Sequence, residues 1–147
     1  MKRQSIVLLA LAVAGLVVAA SALAGAQQSA KPAKAATVLI RHQLHNCHAW
    51  SVNGGSYAAV HSLTLARGGT ITFTNNDVMP QGLVKLSGAP VLFAGNQALN
   101  KPGAVVRVTF SKTGSYVFGT KPGEDYTKGV KTIGEDNVLR LVVTVSS

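Results

Sequence analysis

Cysteine is almost missing from this sequence: Cys47 is the only one in 147 residues. A disulfide within the chain is therefore excluded, and Cys47-His48 lacks the second cysteine of a haem-attachment motif. Acidic residues are nearly as scarce, five Asp and Glu against fourteen Lys and Arg. The pairs Glu124-Asp125 and Glu135-Asp136 fall in turn-like stretches and read as turn chemistry rather than as a general acid and base. Ser51 and Ser56 have no Gly-x-Ser-x-Gly context for a nucleophile, so no enzyme is expected. Aromatic residues make up 5% of the chain, and the basic residues are scattered singly from Lys31 to Arg140. No basic block interleaves with aromatics in the way that stacks bases, which excludes a nucleic-acid partner. A long 3.6-residue apolar period is also missing after residue 36.

The apolar residues that are present are arranged in two ways. Met1-Lys2-Arg3 precedes an uncharged apolar run from Ile6 to Ala20, and Ser21-Ala22-Leu23-Ala24-Gly25-Ala26 offers small-x-small cleavage patterns. That is the anatomy of a secretory signal over residues 1–26, with an uncleaved membrane anchor as the other reading. No cysteine lies near the end of the run to take a lipid. Residues 27–36, rich in Gln, Ala, Lys and Pro, read as a flexible linker, and one domain is expected over residues 37–147. Without Lys2 and Arg3, twelve basic residues face five acidic ones, 12 − 5 = +7. Such a surface aids solubility and would steer the chain toward an acidic partner. The expected location is secreted, periplasmic or cell-envelope.

The second arrangement is period two. Leu63, Leu65, Ile71 and Phe73 alternate with small or polar residues about Gly68-Gly69; Val106, Val108 and Phe110 form another such set. Tyr116 and Phe118 follow Lys112-Thr113-Gly114, and Leu139, Leu141, Val143 and Val145 share one face. Alternation broken by Gly, Asn and Pro at short intervals predicts an all-β sandwich or barrel.

Several of these stretches resemble one family. Arg67-Gly68-Gly69-Thr70-Ile71-Thr72-Phe73-Thr74-Asn75-Asn76-Asp77 is similar to the cupredoxin stretch in which a Gly turn leads into a strand ending on Asn and Asp. Thr113-Gly114-Ser115-Tyr116-Val117-Phe118 is similar to the penultimate strand of that family, and Lys121-Pro122-Gly123 with Lys128-Gly129 to the frame of its copper loop. The resemblance to plastocyanin- and azurin-like cupredoxins covers most of residues 59–145. It implies a Greek-key β-sandwich and a copper protein that transfers electrons. The usual ligands are not in their places: Gln81 follows Pro80 where the family has His, and Gly119 or Thr120, Glu124 and Thr127 stand where Cys, His and Met would be.

The chain offers other donors. In Arg41-His42-Gln43-Leu44-His45-Asn46-Cys47-His48-Ala49-Trp50, three of the four histidines and the only cysteine fall within seven residues. In an extended strand His45 and Cys47 share a face about 6.6 Å apart, whereas His42 and His48 sit about 20 Å apart, too far for one ion. A turn or bulge at Asn46 or Cys47 would bring His48 in. Thiolate, imidazole and a weak thioether suit copper, with Met79 in the Asn75–Pro80 loop as the thioether; zinc would gain nothing from Met79. The expected metal site is His45, Cys47, His48 and Met79, with Trp50 shielding it and an acidic redox partner. The plain alternative makes Cys47 a buried thiol, Trp50 a core residue and Met79 a gap filler. In that case the chain is a metal-free binding module for a protein or envelope partner. His61 reads as a surface or barrel-end residue.

Overall fold

The structure, a computed structural model, describes residues 31–42, 48–122 and 139–147. Among these residues every regular element is a strand: β1 (Ala33–His42), β2 (His48–Val52), β3 (Tyr57–Ala58), β4 (Val60–Asn75), β5 (Gln81–Ser87), β6 (Leu92–Ala94), β7 (Ala98–Leu99), β8 (Ala104–Thr109), β9 (Gly114–Pro122) and β10 (Arg140–Ser146). The all-β expectation is met.

Strand β4 is the organising element. Its first half, Val60 to Ala66, pairs in parallel with β10; its second half, Thr70 to Asn75, lies between β1 (parallel) and β8 (antiparallel). One layer of the sandwich therefore runs β3-β2-β1-β4-β8-β6 and the other β4-β10-β9-β5-β7. The strand changes layer at Gly68-Gly69. Gly68 has φ +80°, which a residue with a Cβ rarely adopts. A Cβ on Gly69 would come within 2.7 Å of the Ala66 carbonyl oxygen. The bend is clipped by Gly68 N–H donating to the Phe110 carbonyl (2.7 Å) and Phe110 N–H donating to the Gly69 carbonyl (3.0 Å).

The alternation seen in the sequence is the burial pattern. Leu65, Ile71, Phe73, Val106, Val108, Phe110, Tyr116, Phe118, Leu141 and Val143 are all fully buried between the layers. An aromatic row crosses the core from Trp50 to Phe73 to Phe118 to Phe110 to Tyr116, with successive centroids 6.4, 5.6, 5.9 and 5.0 Å apart. These tilted and edge-on contacts suit the ring quadrupoles. Each polar handle is satisfied: Trp50 Nε1 donates to the Ala59 carbonyl and Tyr116 OH to the Lys112 carbonyl.

The ordered sheet begins earlier than the sequence suggests. Ala33, Ala35 and Ala36 pair with Leu65, Thr70 and Ile71 of β4, so the last four residues of the expected 27–36 linker belong to β1. Small side chains fit beside the β4 bend, where Lys34 O lies 3.2 Å from the Gly69 Cβ position. At the far edge, Asn53 (φ +51°) and Gly54 (φ +74°) form the tight turn after β2, closed by Gly55 N–H donating to the Val52 carbonyl. Positive φ at both central positions is what a type I′ turn demands of an Asn-Gly pair.

Candidate metal centre

The site lies where β1, β2 and the loop between β4 and β5 meet. Asn75, buried at the end of β4, shapes that loop. Its Nδ2 donates to the carbonyls of Met79 (2.9 Å) and Leu99 (2.8 Å), and its Oδ1 accepts from the Asp77 N–H (2.8 Å). Asp77 Oδ1 in turn accepts from the Met79 N–H at 3.0 Å. Two nested Asx-type turns thus fold residues 75–79 inward. Asn76 N–H, donating to the Ile40 carbonyl at 2.8 Å, pins the loop to β1.

This folding leaves the second Asp77 oxygen aimed at β2. Asp77 Oδ2 lies 2.7 Å from His48 Nδ1, with the carboxylate fully buried and the imidazole almost so. Gln81, fully buried at the start of β5, places its Nε2 3.2 Å from the same Nδ1. Gln81 Oε1 is buried and has no hydrogen-bond partner. On the other side, His42 is opposite His48 in the antiparallel β1–β2 ladder, and the rings meet edge-on at 5.9 Å. One ligand atom each from His42, His48 and Asp77 lie within 4.8 Å of one another, with His42 exposed and the other two buried.

The expected donors fare differently. His48 is at the centre of the cluster. Met79 is in the loop, its N–H and carbonyl both held by the Asx turns. His45 and Cys47 lie outside the described residues. The expectation that His42 and His48 are too far apart for one ion is corrected: it assumed one continuous strand, whereas the chain reverses between them and makes them cross-strand partners. Sequence reasoning did not single out Asp77 or Gln81 as donors, because each was read through the family pattern as a turn residue and as a missing histidine. Trp50 is fully buried in the core against Phe73. His61 is half-buried on β4, with its Nε2 buried and unpaired.

No family model and no curated protein matches this chain. Solved structures do. The solved structures it is similar to include cupredoxins. A copper(I) form of an amicyanin mutant shares 16% identity, with a TM-score of 0.41, over 75% of this chain and 82% of that one. A purple cupredoxin from Nitrosopumilus maritimus shares 18%, with a TM-score of 0.42, over 75% and 98%. The McoA multicopper oxidase of Aquifex aeolicus shares 13%, with a TM-score of 0.49, over 79% of this chain and 27% of the oxidase. The copper named for those proteins is theirs.

Proposed function

We propose that this chain is an exported copper-binding protein that handles copper or carries an electron outside the membrane, with its site built around His48. The observation that carries the reading is the convergence of His42, His48 and Asp77 within 4.8 Å. Two imidazoles and a carboxylate suit a divalent late transition metal, and copper(II) binds such a set more tightly than the neighbouring metals do. Cys47 immediately precedes His48 in the chain, and His45 and Met79 are further candidate ligands. The basic start, the apolar run from Ile6 to Ala20 and the small residues after it support export, and no helix among the described residues is long and apolar enough to cross a membrane.

Bound copper would supply a one-electron couple. The protein's own part is positional. In the metal-free domain the 2.7 Å contact with Asp77 holds the His48 ring in one orientation. The Asx turns of Asn75 and Asp77 keep the loop closed over the buried side of the site, while exposed His42 stands at its mouth. The excess of basic residues would draw an acidic partner toward the domain.

Titration of the mature chain with copper(II), under conditions that protect the thiol, tests the reading. Retention of copper against a weak chelator supports it. An intense visible sulfur-to-copper band lost in Cys47→Ser would select the electron-carrying version with Cys47 as ligand. A chain that surrenders all its copper overturns the reading.

One observation favours a second reading. The 2.7 Å contact between His48 and Asp77 is also a complete buried hydrogen bond without any ion. On that reading the domain is a metal-free binding module, and copper(II) would not raise its melting temperature.

A further inference from the structure

Gln81 is the buried group that the proposed site leaves unexplained. Its side chain is fully enclosed, one amide end faces His48 Nδ1 at 3.2 Å, and the other has no partner. A buried polar atom without a partner is uncommon and marks a bound water, an ion or strain. The contact that Gln81 does make is itself mismatched. His48 Nδ1 carries either one proton or one lone pair. At 2.7 Å the Asp77 carboxylate accepts that proton. The Gln81 amide N–H then points at a nitrogen that has nothing left to accept it.

We infer that Gln81 is a metal ligand through its side-chain oxygen, completing with His42, His48 and Asp77 an all nitrogen–oxygen site for copper(II). The inference rests on the copper reading above and specifies its donor set. A half-turn of the amide exchanges Oε1 and Nε2 without changing its shape. The oxygen then stands 3.2 Å from Nδ1, and Asp77 Oδ2 stands 2.7 Å from the same nitrogen. Two ligands at right angles around one ion, with bonds of about 2.0–2.2 Å, lie roughly 2.8–3.1 Å apart. Nδ1 is therefore spaced from each of the two oxygens as ligands of one ion are, and a His42 nitrogen lies within 4.8 Å of ligand atoms of His48 and Asp77. An ion in place of the proton engages the imidazole lone pair, the carboxylate and the amide oxygen, and the amide NH2 then takes the buried position from which Oε1 has turned.

The scaffold supports this role. Gln81 is not on a mobile tip: it opens β5 and pairs with Leu99 of β7 and Pro122 of β9, so its backbone is fixed on both sides. A ligand set of imidazole, carboxylate and amide oxygen suits copper(II) in tetragonal geometry better than the softer copper(I), which prefers sulfur. On this assignment the domain stores or delivers copper(II), and its copper lacks the intense sulfur-derived colour.

The test compares wild type, Gln81→Leu and Gln81→Glu by chelator competition with copper(II), electron paramagnetic resonance of the copper-loaded proteins, and thermal melting with and without copper(II). Gln81→Leu should bind copper(II) on the order of tenfold more weakly, with an altered copper spectrum, a smaller copper-induced rise in Tm, and a copper-free Tm that does not fall. Gln81→Glu keeps an oxygen in place and should bind at least as tightly as wild type. If Gln81 only supports His48, Gln81→Leu will lower the copper-free Tm and leave the spectrum unchanged, which overturns the inference. An intense sulfur-to-copper band lost in Cys47→Ser also overturns it while sparing the copper reading. Failure of wild type to retain copper removes both.

Discussion

Asp77 Oδ2 and His48 Nδ1 are 2.7 Å apart across 29 residues of sequence. The pair ties the β4–β5 loop to β2 at the point where the candidate ligands gather. Both groups are buried, so water does not compete for the contact. Asp77→Asn should cost roughly 1–3 kcal/mol, since the amide meets the imidazole without the charge. Asp77→Ala should cost more, because the Met79 N–H also loses its acceptor. Denaturant unfolding of both variants measures the difference. An Asp77→Ala domain as stable as wild type would show that the pair is incidental.

Asn75 supports the same loop from below. Its side chain bonds two carbonyls and one N–H, two of the three bonds buried. Asn75→Ala should destabilise the domain by roughly 2–4 kcal/mol, since it strands groups that water cannot reach. The same variant should weaken copper(II) retention, because Asp77 is oriented through Asn75 Oδ1. Parallel measurement of urea midpoint and chelator competition tests both halves of this expectation.

His42 separates metal binding from folding. The copper-induced shift is read within each protein, so any copper-free effect of losing the His42 contacts, its edge-on packing with His48 among them, cancels. Copper(II) at a hundred times its dissociation constant should stabilise the wild-type fold by about 2.7 kcal/mol, and His42→Ala should lose most of that gain. Melting curves at several copper concentrations read this directly; equal copper-induced shifts in the two proteins would remove His42 from the site.

The bend in β4 has its own signature. Gly69→Ala puts a Cβ 2.7 Å from the Ala66 carbonyl oxygen and 3.2 Å from that of Lys34, both backbone atoms with little freedom to move. The expected cost is about 1–3 kcal/mol. A mild effect, under about 0.5 kcal/mol by denaturant titration, would mean that the two layers shift apart more easily than the packing suggests.

Much of the fold was legible because burial here follows period two. Leu65, Ile71 and Phe73, then Val106, Val108 and Phe110, announce their inward faces by position alone. Strand β1 was less legible at its start, since Ala33 to Ala36 carry too little apolar surface to betray a strand that is held by pairing with β4. The site was harder still. His48 stood out through its neighbours in sequence, but distance along an extended strand is no guide once a chain reverses, and the reversal brought His42 back opposite it. Asp77 and Gln81 carry no local pattern that marks them as partners of His48. Their convergence is a product of the Asx turns and of β5 pairing, and both are tertiary facts. A signal was present in Asn75-Asn76-Asp77 followed by Pro80-Gln81, a compact polar loop set between two apolar strands.

Because one strand serves both layers, the domain has no natural seam along which to come apart. Melting of either layer would strip half of β4 of its neighbours and strain Gly68-Gly69 in the other. Hydrogen exchange should therefore be slow along the whole of β4 and governed by global rather than local opening. Trp50, the only tryptophan, then becomes a reporter for the entire domain: its fluorescence should follow the same unfolding curve as circular dichroism of the sheet, although it sits in one layer alone.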